Sequence, residues 1–294
     1  VTPLLFKIRK VVMGLVAVGL FWGGWEFYKW VGPERGGALF GLDILPKSND
    51  RVMPHLHKVV QRLGDPVQPR DAASEPIWQY LAGGAWFSLR LALLGFAVGA
   101  AIGVGLALLM SRFSFLRRGL MPFLVVSQTV PLIALAPLVV AWGGEVKLGS
   151  LEWQKWMSVS LLGAFLAFFP IAVGTLRGLI SPSESSLELM RSMAAPERSI
   201  LTQLRIPAAV PYLAPALRLG AAGSVIGVLV AEISVNLEAG VGRLIVEYAR
   251  VTTVDPTSVY TTLVAAALLG LTMAGLVAAI NSVLMRHRPK EAVA

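Results

Sequence analysis

Residues 181–211 read SPSESSLELMRSMAAPERSILTQLRIPAAVP and join two long apolar runs, 157–177 and 211–235. Ser181 can cap a helix, Pro182 suits its first position, and Glu184 completes a capping box. Leu187, Met190, Met193 and Ala194 then fall on one helical face before Pro196 interrupts. A second short helix is predicted from Pro196, with Ile200, Leu201 and Leu204 apolar, until Pro207 ends it. Two amphipathic helices so placed need cover for their apolar faces. Either this protein's own spans supply it, or a docked partner does.

The flanking runs belong to a set of six predicted spans, about 11–31, 86–110, 119–142, 157–177, 211–235 and 258–284. Each is long enough, at about 1.5 Å per residue, to cross a hydrocarbon core of about 30 Å. The runs are continuous rather than alternating, which argues for helices over strands and for an all-α polytopic membrane protein. Composition agrees: 55% of residues are hydrophobic and 15% charged, with a mean hydropathy of +0.69. A soluble domain carries about 25% charged residues. The basic flank Lys7, Arg9 and Lys10 leads into bulky Phe21, Trp22 and Trp25 without a small-x-small cleavage site, so an uncleaved first span is expected.

Lysine and arginine set the orientation. Thirteen of them fall in the N-terminal flank, in 112–118, in 177–205 and in the tail with Arg286, Arg288 and Lys290. Only Lys147, Lys155, Arg243 and Arg250 lie in the two short loops of the other side. Both termini and the 178–210 loop are therefore expected in the cytoplasm. The net charge of +9 is a topology signal on this reading, and no nucleic-acid partner is expected. The absence of cysteine excludes disulfides, thiolate metal sites and cysteine nucleophiles.

The predicted domains are 1–31 (N-terminus and first span), 32–84 (external loop), 85–285 (membrane core) and 286–294 (cytoplasmic tail). In the external loop Val52, Met53, Leu56, Val59, Val60 and Leu63 recur at helical spacing, either on the outer membrane surface or packed on the spans. His55 and His57 stand there at i, i+2, which do not share a helix face. With no carboxylate motif beside them they read as a solvated pair, and no metal site is expected. Gly95, Gly99 and Gly103 in the second span, and Ala216, Gly220 and Ser224 in the fifth, predict close helix packing.

The 181–211 segment resembles the cytoplasmic loop of ABC importer permeases, whose pattern is Glu-Ala-Ala, three residues, Gly, nine residues, Ile, one residue, Leu-Pro. Glu188 matches the Glu, Ala194 falls on the Gly, Leu204 on the Ile and Ile206-Pro207 on Leu-Pro, while Leu189 and Met190 replace the two alanines. Phe87–Gly105, the Gln128-Thr129-Val130-Pro131 stretch with Pro137, and Val230-Ala231-Glu232 followed by 240–245 are similar to further parts of the same family. The likeness is nearest its nitrate/sulfonate/taurine branch. It implies a type I importer permease core over 85–285, two permease subunits (copies or paralogues) and two ATPase subunits beneath. An external solute-binding protein would deliver a small anionic or zwitterionic solute at a prokaryotic inner membrane. By the same resemblance Glu188, Arg191, Met193, Ala194, Ala195, Glu197 and Arg198 would meet the ATPase. ATP and Mg would reside on that partner, with no cofactor in this chain. Consistently, no lysine here follows a glycine, so no Gly-Lys P-loop exists in the sequence.

Polar groups or broken backbone near mid-membrane are the places to look for a pathway. Ser127, Gln128, Thr129 and Pro131 fit, although prolines and hydroxyls also make simple packed kinks. Arg90 and Glu232 are expected at similar depth with opposite charge, as an ion pair, as snorkelling side chains or as a gate. The competing classes are an ATP-independent secondary transporter or channel and a membrane-embedded enzyme. No His-Glu-x-x-His or Gly-x-Ser-x-Gly motif supports the last.

Overall fold

Continuous apolar runs have no water to satisfy their backbone, so they close their hydrogen bonds within helices. A computed structural model describes residues 3–39, 42–67, 74–148, 151–235 and 237–284. The expected cytoplasmic tail with Arg286, Arg288 and Lys290 lies outside the described residues. The helices are α1 (Pro3–Val31), α2 (Leu56–Arg62), α3 (Ile77–Arg112), α4 (Ser114–Ser127), α5 (Leu132–Gly144), α6 (Lys155–Leu179), α7 (Glu184–Ser192), α8 (Glu197–Ser199), a π-helical turn (Ile200–Arg205), α9 (Ile206–Ser234), α10 (Val241–Arg250) and α11 (Pro256–Leu284). The fold is not purely helical. Antiparallel hairpins β1 (Gly37–Leu39) with β2 (Leu42–Leu45), and β3 (Lys147–Leu148) with β4 (Leu151–Glu152), sit in the connections, pairing Gly37 with Leu45 and Lys147 with Glu152.

Among the described residues four helical stretches are long and apolar enough to cross a membrane: Ile77–Arg112, Lys155–Leu179, Glu197–Ser234 and Pro256–Val283. The expected third span is not continuous: α4 and α5 form a pair bent by 102°, so the structure supports four spans, or five with that pair. Pro131, at the N-cap of α5 with φ −66° and ψ 110°, cannot donate to the preceding turn, and the helix parts there rather than kinking gently. The fifth span also departs from expectation. Pro207 does not end a helix; α8, the π turn and α9 run on through it. The π turn moves the bond register, with Ile206 N–H donating to the Leu201 carbonyl, and Pro207 then sits in the first turn of α9, where no N–H is required.

The chain divides into two units, Val1–Leu81 with Ile245–Val264, and Ala82–Leu244 with Ala265–Ala294. In the second unit the expected small-residue faces do bring helices together. A methyl added at Gly99 would meet the Ala164 carbonyl oxygen at 2.7 Å, and one at Gly227 would meet that of Leu162 at 2.8 Å. Ser224 Oγ donates to the Ala92 carbonyl at 2.7 Å, so α3, α6 and α9 pack backbone to backbone. In the first unit, residues 46–62 form a strap bonded to the end of α1. Trp25 Nε1 donates to the Pro54 carbonyl at 3.0 Å, Lys29 pairs with Asp50 at 2.6 Å, and Arg62 pairs with Asp255 at 2.8 Å. The amphipathic helix expected here is only the seven residues of α2, with Val59 buried and Val52 and Met53 outside it.

Candidate functional site

The 181–211 loop is built in two unlike limbs. The first is α7, capped by Ser183, whose Oγ accepts from the Ser186 N–H at 3.3 Å. The cap expected at Ser181 is thus displaced by two residues, because the Ser181 hydroxyl instead donates to the Gly178 carbonyl and finishes α6. No residue of α7 or α8 is buried. Leu187 and Met190 are half-buried, but Leu189 and Met193 are 62% and 71% exposed, a large apolar surface on a short helix. Glu188, Arg191, Ala194, Glu197 and Arg198 are exposed beside them, and Ala195 is half-buried.

The loop turns at Ala194, which has φ 52° and is the only non-glycine residue among those described with positive φ. Ala195 N–H donates to the Met190 carbonyl at 3.0 Å and Ala194 N–H to that of Arg191 at 2.9 Å, the double bond pattern of a Schellman cap. A glycine position in the importer-loop pattern is therefore filled by an alanine in a glycine's conformation.

The second limb is anchored. Ile200 is buried, and Leu201 packs against the core cluster of Ala107, Met110, Leu124, Leu176, Leu179 and Ala209. Arg112 at the end of α3 pairs with Glu197 at 2.8 Å, and Arg205 donates to the Ser111 carbonyl at 3.2 Å. Both ends of the Arg112–Glu197 pair are more than half exposed, so it orients more than it stabilises. With Arg198 and Arg205 these residues frame a cleft of about 300 Å³. Arg112 was not singled out by the sequence, since 85 residues separate it from Glu197.

Of the expected pathway residues, Ser127 and Thr129 spend their hydroxyls on the Leu124 and Val126 carbonyls, both at 2.8 Å. Gln128, between them at the α4–α5 break, holds a buried Nε2 with no partner among the described residues. Pro131 is exposed.

The structure does not bring Arg90 and Glu232 together. Arg90 is exposed and lies over the Trp86 and Phe87 rings, 5.7 and 5.8 Å from their centroids. Glu232 is buried, accepting from Ser88 Oγ at 2.7 and 2.9 Å and from the Gly242 N–H at 2.8 Å. Val241 N–H donates to the same Ser88 hydroxyl at 2.9 Å. The carboxylate thus ties α3, the end of α9 and the start of α10 through hydrogen bonds rather than a counter-charge. Gly240, at φ 124°, makes the approach possible, because any Cβ there would lie 2.6 Å from a carboxylate oxygen. Ser88 was not legible as this partner in the sequence.

Residues 98–286, more than half of the chain, match the family described as binding-protein-dependent transport system inner membrane component. A formylaminopyrimidine transport permease protein of Halalkalibacterium halodurans is 35% identical over 145 residues, covering 49% of this chain and 54% of that protein. A Bacillus subtilis protein provisionally named as an aliphatic sulfonates transport permease is 28% identical over 167 residues, 57% of each chain. The riboflavin transport system permease protein of Chloroflexus aurantiacus is 28% identical over 173 residues, 57% of this chain and 61% of that one. The chain spans between about half and two thirds of the length of these relatives. Family match, apolar spans and importer-type loop agree: this chain belongs to the binding-protein-dependent transport system inner membrane component family, a family of membrane transport permeases rather than enzymes.

Proposed function

We propose that this chain is the permease subunit of an ATP-driven importer and takes its power from a separate ATPase docked on the 184–198 loop. The observation that carries the reading is the exposed apolar surface of α7, Leu189 and Met193, ringed by Glu188, Arg191, Glu197 and Arg198 and set at a fixed angle by the Ala194 cap. Exposed apolar side chains rimmed by polar ones mark a site of protein–protein contact. The second limb, anchored in the core by Ile200 and Leu201 and continuous with α9, provides a stiff path from that partner into a span.

In this reading α1 is a further crossing and the α4–α5 pair is a broken one, giving six, with both termini in the cytoplasm of a prokaryotic inner membrane. A second permease, a copy or a paralogue, completes the pathway, and an external binding protein presents the solute. ATP and Mg belong to the ATPase. Ser127, Gln128, Thr129 and Pro131 line the pathway at the break, where the Gln128 amide, without a partner among the described residues, can donate to an anionic or zwitterionic solute. Relatives named for formylaminopyrimidine, aliphatic sulfonates and riboflavin support a small organic one.

Co-purification tests the docking. Wild-type chain should retain an ATPase subunit through detergent extraction, and Leu189→Asp plus Met193→Asp should release it while leaving the chain folded, since neither side chain is buried. Equal retention by both would remove the basis of the proposal.

A further inference from the structure

We propose that Glu26, His55 and His57 form a binding site for a divalent transition-metal ion of the Zn²⁺ class. The i, i+2 spacing argues against shared ligation only if both histidines are helical. His55 is not: it is the N-cap of α2, in extended backbone at φ −61° and ψ 135°, while His57 lies in the first turn. The two rings consequently lie side by side, 5.2 Å between centroids with a 36° tilt. The missing carboxylate comes from α1. Glu26 has one oxygen fixed by the Leu56 N–H at 2.9 Å and the other 2.7 Å from His55 Nδ1. One ligand atom from each of the three residues lies within 4.8 Å of the others.

Two imidazole nitrogens and one carboxylate oxygen are the donor set of a zinc site that keeps an open position, whereas Mg²⁺ and Ca²⁺ favour all-oxygen ligation. Ligand atoms about 2.0–2.1 Å from a tetrahedral ion lie about 3.3 Å apart, so a small contraction of the three side chains suffices. Glu26 and His55 are half-buried and His57 is exposed, which leaves an entry path and room for water as fourth ligand. The backbone is already held: Trp25 bonds the Pro54 carbonyl, and Lys29 and Lys58, which would otherwise repel a cation, are both paired with Asp50. A bound ion would pin the 46–62 strap to the end of α1.

The test uses the untagged 294-residue chain in detergent, with Zn²⁺ binding measured by equilibrium dialysis and metal analysis. The expected result is one saturable Zn²⁺ per chain, not displaced by excess Mg²⁺ or Ca²⁺. His57→Ala, at an exposed position, should weaken binding at least about tenfold, His57→Cys should retain it, and Glu26→Gln should weaken it about tenfold. His287→Ala, removing the only other histidine, should change nothing. No saturable site in the wild type overturns the proposal. So does equal Zn²⁺ affinity in wild type, His57→Ala and His55→Ala, which would mark adventitious binding elsewhere.

Discussion

Ala194 holds φ 52° at the turn of the 184–198 loop, and its Cβ there crowds the following carbonyl. Replacing it by glycine should stabilise the turn by about 1 kcal/mol, roughly a fivefold gain in protection. Slower hydrogen exchange at the 194 and 195 amides, which make the Schellman bonds, would report it; unchanged exchange would mean the turn carries no strain. At Glu232 the chemistry is different. Glu232→Ala leaves the Ser88 hydroxyl and the Gly242 N–H buried without their acceptor, a loss of about 1–3 kcal/mol for each. Glu232→Gln, which keeps one carbonyl acceptor, should cost less. Thermal unfolding of the two variants checks the order. Gln128→Leu should raise the KM for uptake, without changing the amount of folded protein, if its buried amide meets the solute.

Among the elements, the strap on α1 offers a pH signature. Hydrogen bonds from Lys29 and then Lys58 push the Asp50 carboxyl down to about 2 from its ordinary 3.8. A depressed carboxyl stabilises the fold above the unfolded value and loses that contribution as pH falls through the folded one. The stability difference between wild type and Asp50→Asn should therefore be constant above about pH 4 and shrink as the pH approaches 2. Asp255 behaves alike: burial would raise it, but bonds from Ser258, Thr257 and Arg62 outweigh that and hold it low.

Much of this level was legible. The glycine steps at 95, 99 and 103 marked the face of α3 that meets α6, because small residues at helical spacing have few other uses in a span. Where reading failed, competition or distance was the cause. Ser181 was read as the cap of α7, but its hydroxyl bonds the Gly178 carbonyl at the end of α6, and Ser183 caps α7 instead. Pro207 looked like a stop because the π turn that admits it has no sequence signature. Glu26 lies 29 residues from His55, and Ser88 lies 144 from Glu232, beyond any local pattern.

For the whole molecule, the orientation rests on the lysine and arginine bias and can be tested without background, since the chain has no cysteine. A cysteine at exposed Ser185 should react with an impermeant maleimide only in inverted vesicles, and one at exposed Val60 only in intact, right-side-out cells. The reverse pattern would place the loop outside and end the docking account. On the proposed function, the 184–198 loop passes the work of ATP hydrolysis in another chain to the spans of this one. Its most direct measurement is solute uptake against ATP hydrolysis in proteoliposomes holding the permease, its ATPase and the binding protein, for wild type and for Arg191→Glu plus Ala194→Asp. Uptake by the variant should fall to background while the ATPase continues to hydrolyse; full ATPase binding with wild-type coupled uptake would overturn the docking proposal.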